Sequence, residues 1–210
     1  MDKLWTELLN IIHKSNRKIE VLNGDNDMGK QECILMNIPD NTLLYSIVSN
    51  SKGVIVDHWI RLLGHDEKGV WGVKQFNSES SYSQYFEGLF IVSDDIVGGI
   101  YAININRFKN DQNKVWYFAP DTLQWECLNM KYSEFVVWTM QGNVDDYYAT
   151  MRWKNWKYDC DGVPTNKAIL VYPFLWSKEC DLETSQKSVV PLDEIIHLNF
   201  HYSELMNNQS

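Results

Sequence analysis

A chain of 210 residues with 44% hydrophobic and 22% charged residues falls among ordinary globular proteins and outside the range of disordered ones. One domain is expected, able to bury roughly 70% of the surface that the unfolded chain exposes. The net charge of -9 argues against a nucleic-acid partner, since phosphates are neutralised by clustered Lys and Arg; it suits solubility, or steering toward a basic partner.

The first helix is expected from Leu4, Leu8, Leu9, Ile11 and Ile12, which recur at helical spacing and end near Lys14. Ile19 to Leu22 reads as a short edge strand between turn segments, the second of them NGDNDMGK with Gly24 and Gly29. Pro39-Asp40 then looks like a helix start with Asp40 or Asn41 as cap, and Gly53 as its end. VIVDHWIRLLG follows as one or two strands. Residues 72–87 read as a polar, exposed excursion.

Strands are expected near 89–93, 97–105, 114–118 and 124–129, with Gly98-Gly99 where a hairpin or bulge needs a permissive backbone. Ser133 is the expected cap of a helix through Met140, with Gly142 at its stop. Asn143 caps the next helix, VDDYYATMRW. KAILVYPF is a strand, SKECDLETSQKS a surface loop, and Pro191 the first position of a last helix through about Leu205. This pattern predicts a single α+β domain spanning 1–210, with a central, mainly antiparallel sheet, an N-terminal helix and C-terminal helices packed on it.

Cys33, Cys127, Cys160 and Cys180 show no CxxC spacing, so neither a disulfide framework nor a zinc site is expected. MDKLWTELLNIIHKSN lacks the marks of a signal peptide, and no apolar run approaches the roughly 20 residues that cross a bilayer. The expected compartment is the cytoplasm, with no membrane association.

Several ordered blocks carry a resemblance: VDHWIRLLG (56–64), GLFIVSDDIVGGIYAIN (88–104), VWYFAPDTLQWE (115–126), YSEFVVW (132–138), YPFLW (172–176) and VPLDEI (190–195). Together they resemble a bacterial family known as domain of unknown function 2625, which brings no activity with it. The layout of an early helix, a Pro-Asp helix start, a β-turn-β core and a following helix is also similar to the SUKH superfamily. That likeness implies an immunity protein binding a toxin domain.

Among the polar residues, Asp94-Asp95 is the sharpest feature. The pair reads as turn structure, as a contact for a basic partner, or as a metal or catalytic site; consecutive carboxylates on an extended backbone face apart and clamp an ion poorly. Asp57-His58 lacks a converging third group. His65, beside Asp66 and Glu67, reads as part of a solvated turn. His197 and His201, four apart on a helix, could share one ion but lack further ligands. Trp153 and Trp156, interleaved with Arg152, Lys154 and Lys157, could contact a ligand or partner, or have their rings covered by the cations' stems.

No GxSxG elbow, phosphate loop or GxGxxG fingerprint occurs. The expected function is therefore a non-enzymatic interaction module with a protein partner and with neither cofactor nor metal. The alternatives are a carbohydrate- or small-molecule-binding protein, or a hydrolase using Asp94, Asp95 or His58.

Overall fold

Seven strands lie side by side in the order in which the chain makes them, every neighbouring pair antiparallel. The computed structural model describes residues 2–78 and 85–207. The strands are β1 (Ile19–Asn23), β2 (Ser51–Val56), β3 (Ile60–Leu63), β4 (Leu89–Asp95), β5 (Ile100–Asn104), β6 (Lys114–Ala119) and β7 (Gln124–Lys131). The expected edge strand and the four-strand meander are both present, and the α+β reading holds.

Helix α1 (Lys3–Lys14) begins where the Asp2 carboxylate accepts the Trp5 N–H at 3.2 Å. The segment NGDNDMGK, expected as a turn, instead opens α2 (Asn26–Leu35), capped by Asp25, whose carboxylate accepts from the N–H groups of Asp27 and Met28. Gly29, a poor helix former, sits inside α2 for steric reasons. A Cβ there would come within 2.5 Å of the Val48 carbonyl oxygen and 2.8 Å of the His65 ring. The helix can pack this closely only without a side chain at that point.

Helix α3 (Leu43–Asn50) starts later than expected. Its cap is Thr42, whose hydroxyl accepts the Tyr45 N–H at 3.1 Å. Thr42→Ala should cost about 1 kcal/mol, read as a lowered urea midpoint with an unchanged slope. Gly53, expected as the helix stop, lies within β2 at φ +143, where a Cβ would meet the Leu62 carbonyl oxygen at 2.7 Å. Asp57 and His58 form the β2–β3 turn, both at positive φ, as a mirror-image hairpin turn requires.

The expected exposed excursion at 72–87 is corrected in part. Helix α4 (Val73–Ser78) buries Val73 and Phe76, and Tyr85 and Phe86 are buried as well; most of the polar SESSYSQ stretch lies outside the described residues. Helix α5 (Tyr132–Gln141) is capped at Lys131, whose N–H reaches the Glu134 carboxylate at 2.7 Å, rather than at Ser133. The next helix is only one turn, α6 (Val144–Tyr147), followed by α7 (Trp156–Asp159).

Strands β8 (Lys167–Tyr172) and β9 (Gln186–Pro191) form a separate antiparallel pair. β9 begins inside the segment expected as a loop, and Pro191 ends it, so the last helix, α8 (Leu192–Asn207), starts one residue later than expected. The pair joins the main sheet where the Ile169 N–H donates to the Ile96 carbonyl at 2.6 Å. Helix α8 closes one side by stacking Phe200 on Phe118 and Tyr85, with ring centroids 4.2 and 4.7 Å apart. Helices α1, α3 and α5 pack against one another.

Candidate functional site

The Asp94-Asp95 pair lies inside the protein, with relative exposures of 4% and 3%. As alternation on a strand requires, the two carboxylates part company. Asp94 faces Arg61 directly across β3 and β4, and the guanidinium holds it with two hydrogen bonds, Nε to Oδ1 at 2.9 Å and Nη2 to Oδ2 at 2.5 Å. Burial pushes the Asp94 carboxyl above its ordinary range, against the pull of Arg61. The sequence does carry a signal for this partner: one Arg in the apolar run Trp59 to Leu63 must find an anion if it is buried.

Asp95 has no cation bonded to it. Its Oδ1 accepts from the N–H groups of Val97 and Gly99 at 3.0 and 2.8 Å, and its Oδ2 from the hydroxyls of Tyr117 and Tyr148 at 2.7 and 2.9 Å. The Tyr148 hydroxyl also meets that of Tyr101, and the Tyr101 ring stacks on Tyr117. Desolvation dominates over the four donors and raises the Asp95 carboxyl to about 6. Gly99 is glycine because a Cβ would fall 2.2 Å from Asp95 Oδ2.

His58, Asp94, Asp95 and Cys160 line one hollow, but its volume is about 40 Å³, room for water and not for a substrate. His58 Nε2 lies 3.3 Å from an Asp161 carboxylate oxygen. Burial pushes the thiols of Cys33 and Cys160 up to about 12, which leaves neither as a thiolate nucleophile at neutral pH.

Trp153 and Trp156 are also buried. The Trp153 indole N–H donates to Asp159 at 2.6 Å, and Trp156 sets its ring edge to face against Trp59. Arg152 lies 4.0 Å over the Trp156 ring while one of its N–H groups reaches Asp145 at 2.6 Å. The two tryptophans of the basic-aromatic stretch are thus turned inward, with Arg152 capping an aromatic cluster, while Lys154 and Lys157 stay exposed.

His65, expected in a solvated turn, is fully buried; its Nδ1 is 2.8 Å from the Val48 carbonyl oxygen, in space left by Gly24 and Gly29. His197 meets the Tyr85 hydroxyl at 3.2 Å. Among the described residues no group of three or more His, Cys, Asp or Glu side chains is arranged to hold a metal ion.

A larger concavity lies elsewhere. A groove of about 850 Å³ runs between α1, the 36–44 segment, α5 and the sheet. Leu4, Leu8 and Ile11 line it from α1, Met36 and Ile38 from the connecting segment, Leu43 from the start of α3, Phe90 and Ile103 from β4 and β5, and Tyr132 and Val137 from α5. Its polar lining is neutral except for Glu7. Tyr132 is buried with its hydroxyl unpartnered, and burial raises its phenol well above the ordinary range. Sequence reasoning did not find this groove, because its walls come from stretches far apart in the chain and none holds a charged cluster.

The chain is 27% identical to an uncharacterized protein of Haemophilus influenzae over 201 residues, covering 93% of this chain and 88% of that one. It is also 27% identical to the putative uncharacterized protein YbfG of Escherichia coli K12 over 208 residues, covering 97% and 93%. No solved structure matches. No helix among the described residues is long and apolar enough to cross a membrane. The family model described as "Protein of unknown function DUF2625" matches residues 1–195, and the chain belongs to that family.

Proposed function

We propose that this protein is a non-catalytic binding protein whose site is the groove beside α1 and α5, and that the groove takes a small, largely apolar molecule. One observation carries the reading: a concavity of about 850 Å³ in a protein whose conspicuous polar side chains are spent on one another. Small-molecule sites occupy about 300–1,000 Å³ and are mostly apolar with a few polar groups. Ile105 and Val137 line the groove while remaining exposed, which places apolar side chains at its mouth.

A neutral naphthylamine dye should brighten on binding the wild-type protein. Val137→Trp fills the mouth and should weaken that binding at least about five-fold, in line with a loss of roughly 1 kcal/mol, while the unfolding midpoint moves little. A wild-type protein that leaves the dye dark defeats the proposal.

A second reading is a protein-interaction module, the immunity role against a toxin domain that the SUKH-like layout implies. It is favoured by the end of α2, where Ile34 and Leu35 are 74% and 68% exposed, adjacent apolar side chains of the kind that mark contact surfaces. Co-purification should return a stoichiometric protein partner that Ile34→Asp with Leu35→Asp releases. Repeated recovery of none counts against it.

A further inference from the structure

We infer that the chain has a second binding site, a hollow beside α8 that takes a small aromatic carboxylate, its ring among aromatic side chains and its carboxylate on Arg107. The hollow has a volume of about 290 Å³ and shares no lining residue with the groove, so it stands apart from the reading above. A cavity of about 150 Å³ already holds benzene, which leaves room here for one ring and a short acid chain. Five rings line it: Tyr85, Phe108, Phe118, Trp125 and Phe200. Phe200 stacks on Phe118 and Tyr85, and Trp125 stands edge-on to Phe118 at 5.5 Å. Such a wall suits the face or the edge of one more ring.

Arg107 lines the same hollow and remains exposed, open to a ligand. Its guanidinium carbon lies 6.0 Å over the Phe108 ring, and its Nη1 donates to the Tyr85 and Glu87 carbonyls at 3.0 and 3.4 Å. Nε and Nη2 have no partner among the described residues. That is the edge by which Arg61 holds Asp94, the one that grips a carboxylate with two parallel hydrogen bonds. The other three arginines are each paired with an acid: Arg17 with Asp57, Arg61 with Asp94 and Arg152 with Asp145. Partial desolvation lowers the Arg107 pKa against the pull of Glu87, so an anion brought to it restores part of what the lost water supplied. The loop holds this cation still. Buried Asn104 accepts the Phe108 N–H at 3.1 Å and donates to the Phe108 and Asn110 carbonyls at 2.9 and 3.0 Å, while the Arg107 N–H donates to the Gly88 carbonyl at 3.2 Å. Glu204 also lines the hollow, exposed and not paired with Arg107; it opposes a dianion such as phosphate more than a singly charged carboxylate.

The test is a ligand-observed NMR titration of the full-length protein at pH 7.5 with 3-phenylpropanoate, 3-phenylpropan-1-ol, 3-phenylpropylamine and hexanoate. Phenylpropanoate should bind at least about five-fold more tightly than each of the other three. Arg107→Met should weaken it at least about ten-fold, the effect of losing hydrogen bonds to a charged group, and leave the alcohol unchanged. Val137→Trp, which fills the groove, should leave phenylpropanoate binding as it is. Raising the salt on wild type from about 20 to about 500 mM should weaken the acid about two- to three-fold and spare the alcohol, as a screened ion pair requires; this arm holds even if Arg107→Met folds poorly.

An amine or alcohol that binds as well as the acid overturns the anionic class, and hexanoate binding equally overturns the part given to the rings. Phenylpropanoate affinity unchanged in Arg107→Met, or insensitive to salt, removes Arg107 from the site. No binding by any of the four defeats the inference and leaves the groove reading untouched.

Discussion

Arg61→Ala should destabilise the protein by about 3–5 kcal/mol, because it leaves the Asp94 carboxylate buried and unpaired. The guanidinium is spent entirely inside the protein: two of its nitrogens hold Asp94, and a third donates to the Trp71 carbonyl at 2.9 Å. Asp94→Ala should cost a similar amount by stranding the cation. The pair itself is worth far less than either loss, since two desolvated ions roughly offset their attraction. Arg61→Met combined with Asp94→Leu should therefore recover most of the stability lost in the single variants. Urea unfolding of wild type, the two single variants and the double variant tests this; a double variant less stable than either single one would refute the account.

Asp95→Ala is expected to cost about as much, roughly 3–5 kcal/mol, by a different route. It strands four donors at once: two backbone N–H groups and the hydroxyls of Tyr117 and Tyr148. Asp95→Asn is milder, because an amide oxygen can still serve Val97 and Gly99 while the phenols turn toward Tyr101 and Met151, which already lie within reach.

The pH dependence of this site follows from a carboxyl raised to about 6 from an ordinary 3.8. The folded protein holds the proton more tightly than the unfolded chain does. The stabilisation from that proton is complete below about pH 4, is lost as pH rises through 6, and amounts to about 3 kcal/mol. Asp95→Asn cannot titrate, so its stability relative to wild type should rise by about that amount between pH 4 and 7. A pH-independent difference between the two would show that Asp95 stays ionised throughout.

The sheet was legible because its signals are local. Gly98-Gly99 punctuates the β-rich runs, and strands formed close to where those runs lie, although β4 continues through Asp94-Asp95 instead of turning there. Helix α2 was not legible, since Gly24, Gly29 and the acidic stretch between them read as a turn. Only the approach of Val48 and His65 explains a glycine within that helix.

The opposed directions of Asp94 and Asp95 followed from strand alternation, whereas their burial did not. Burial depends on Arg61 and on Tyr148, which lie 33 residues before Asp94 and 53 residues after Asp95. Trp153 and Trp156 drew attention by composition, yet composition cannot say whether a ring faces in or out. The groove left no trace in any single stretch, because it is a space between elements.

A sheet whose strands follow chain order has its first and last strands as its two borders, and such borders invite a second molecule to add a strand of its own. The outer border at β7 discourages this. Its exposed positions include Glu126, Asn129 and Lys131, and the backbone at Asn129 turns left-handed at φ 56. A strand laid alongside would have to bury both charges and follow that kink. The same local irregularity that looks like imperfect pleating therefore disfavours strand addition at that border.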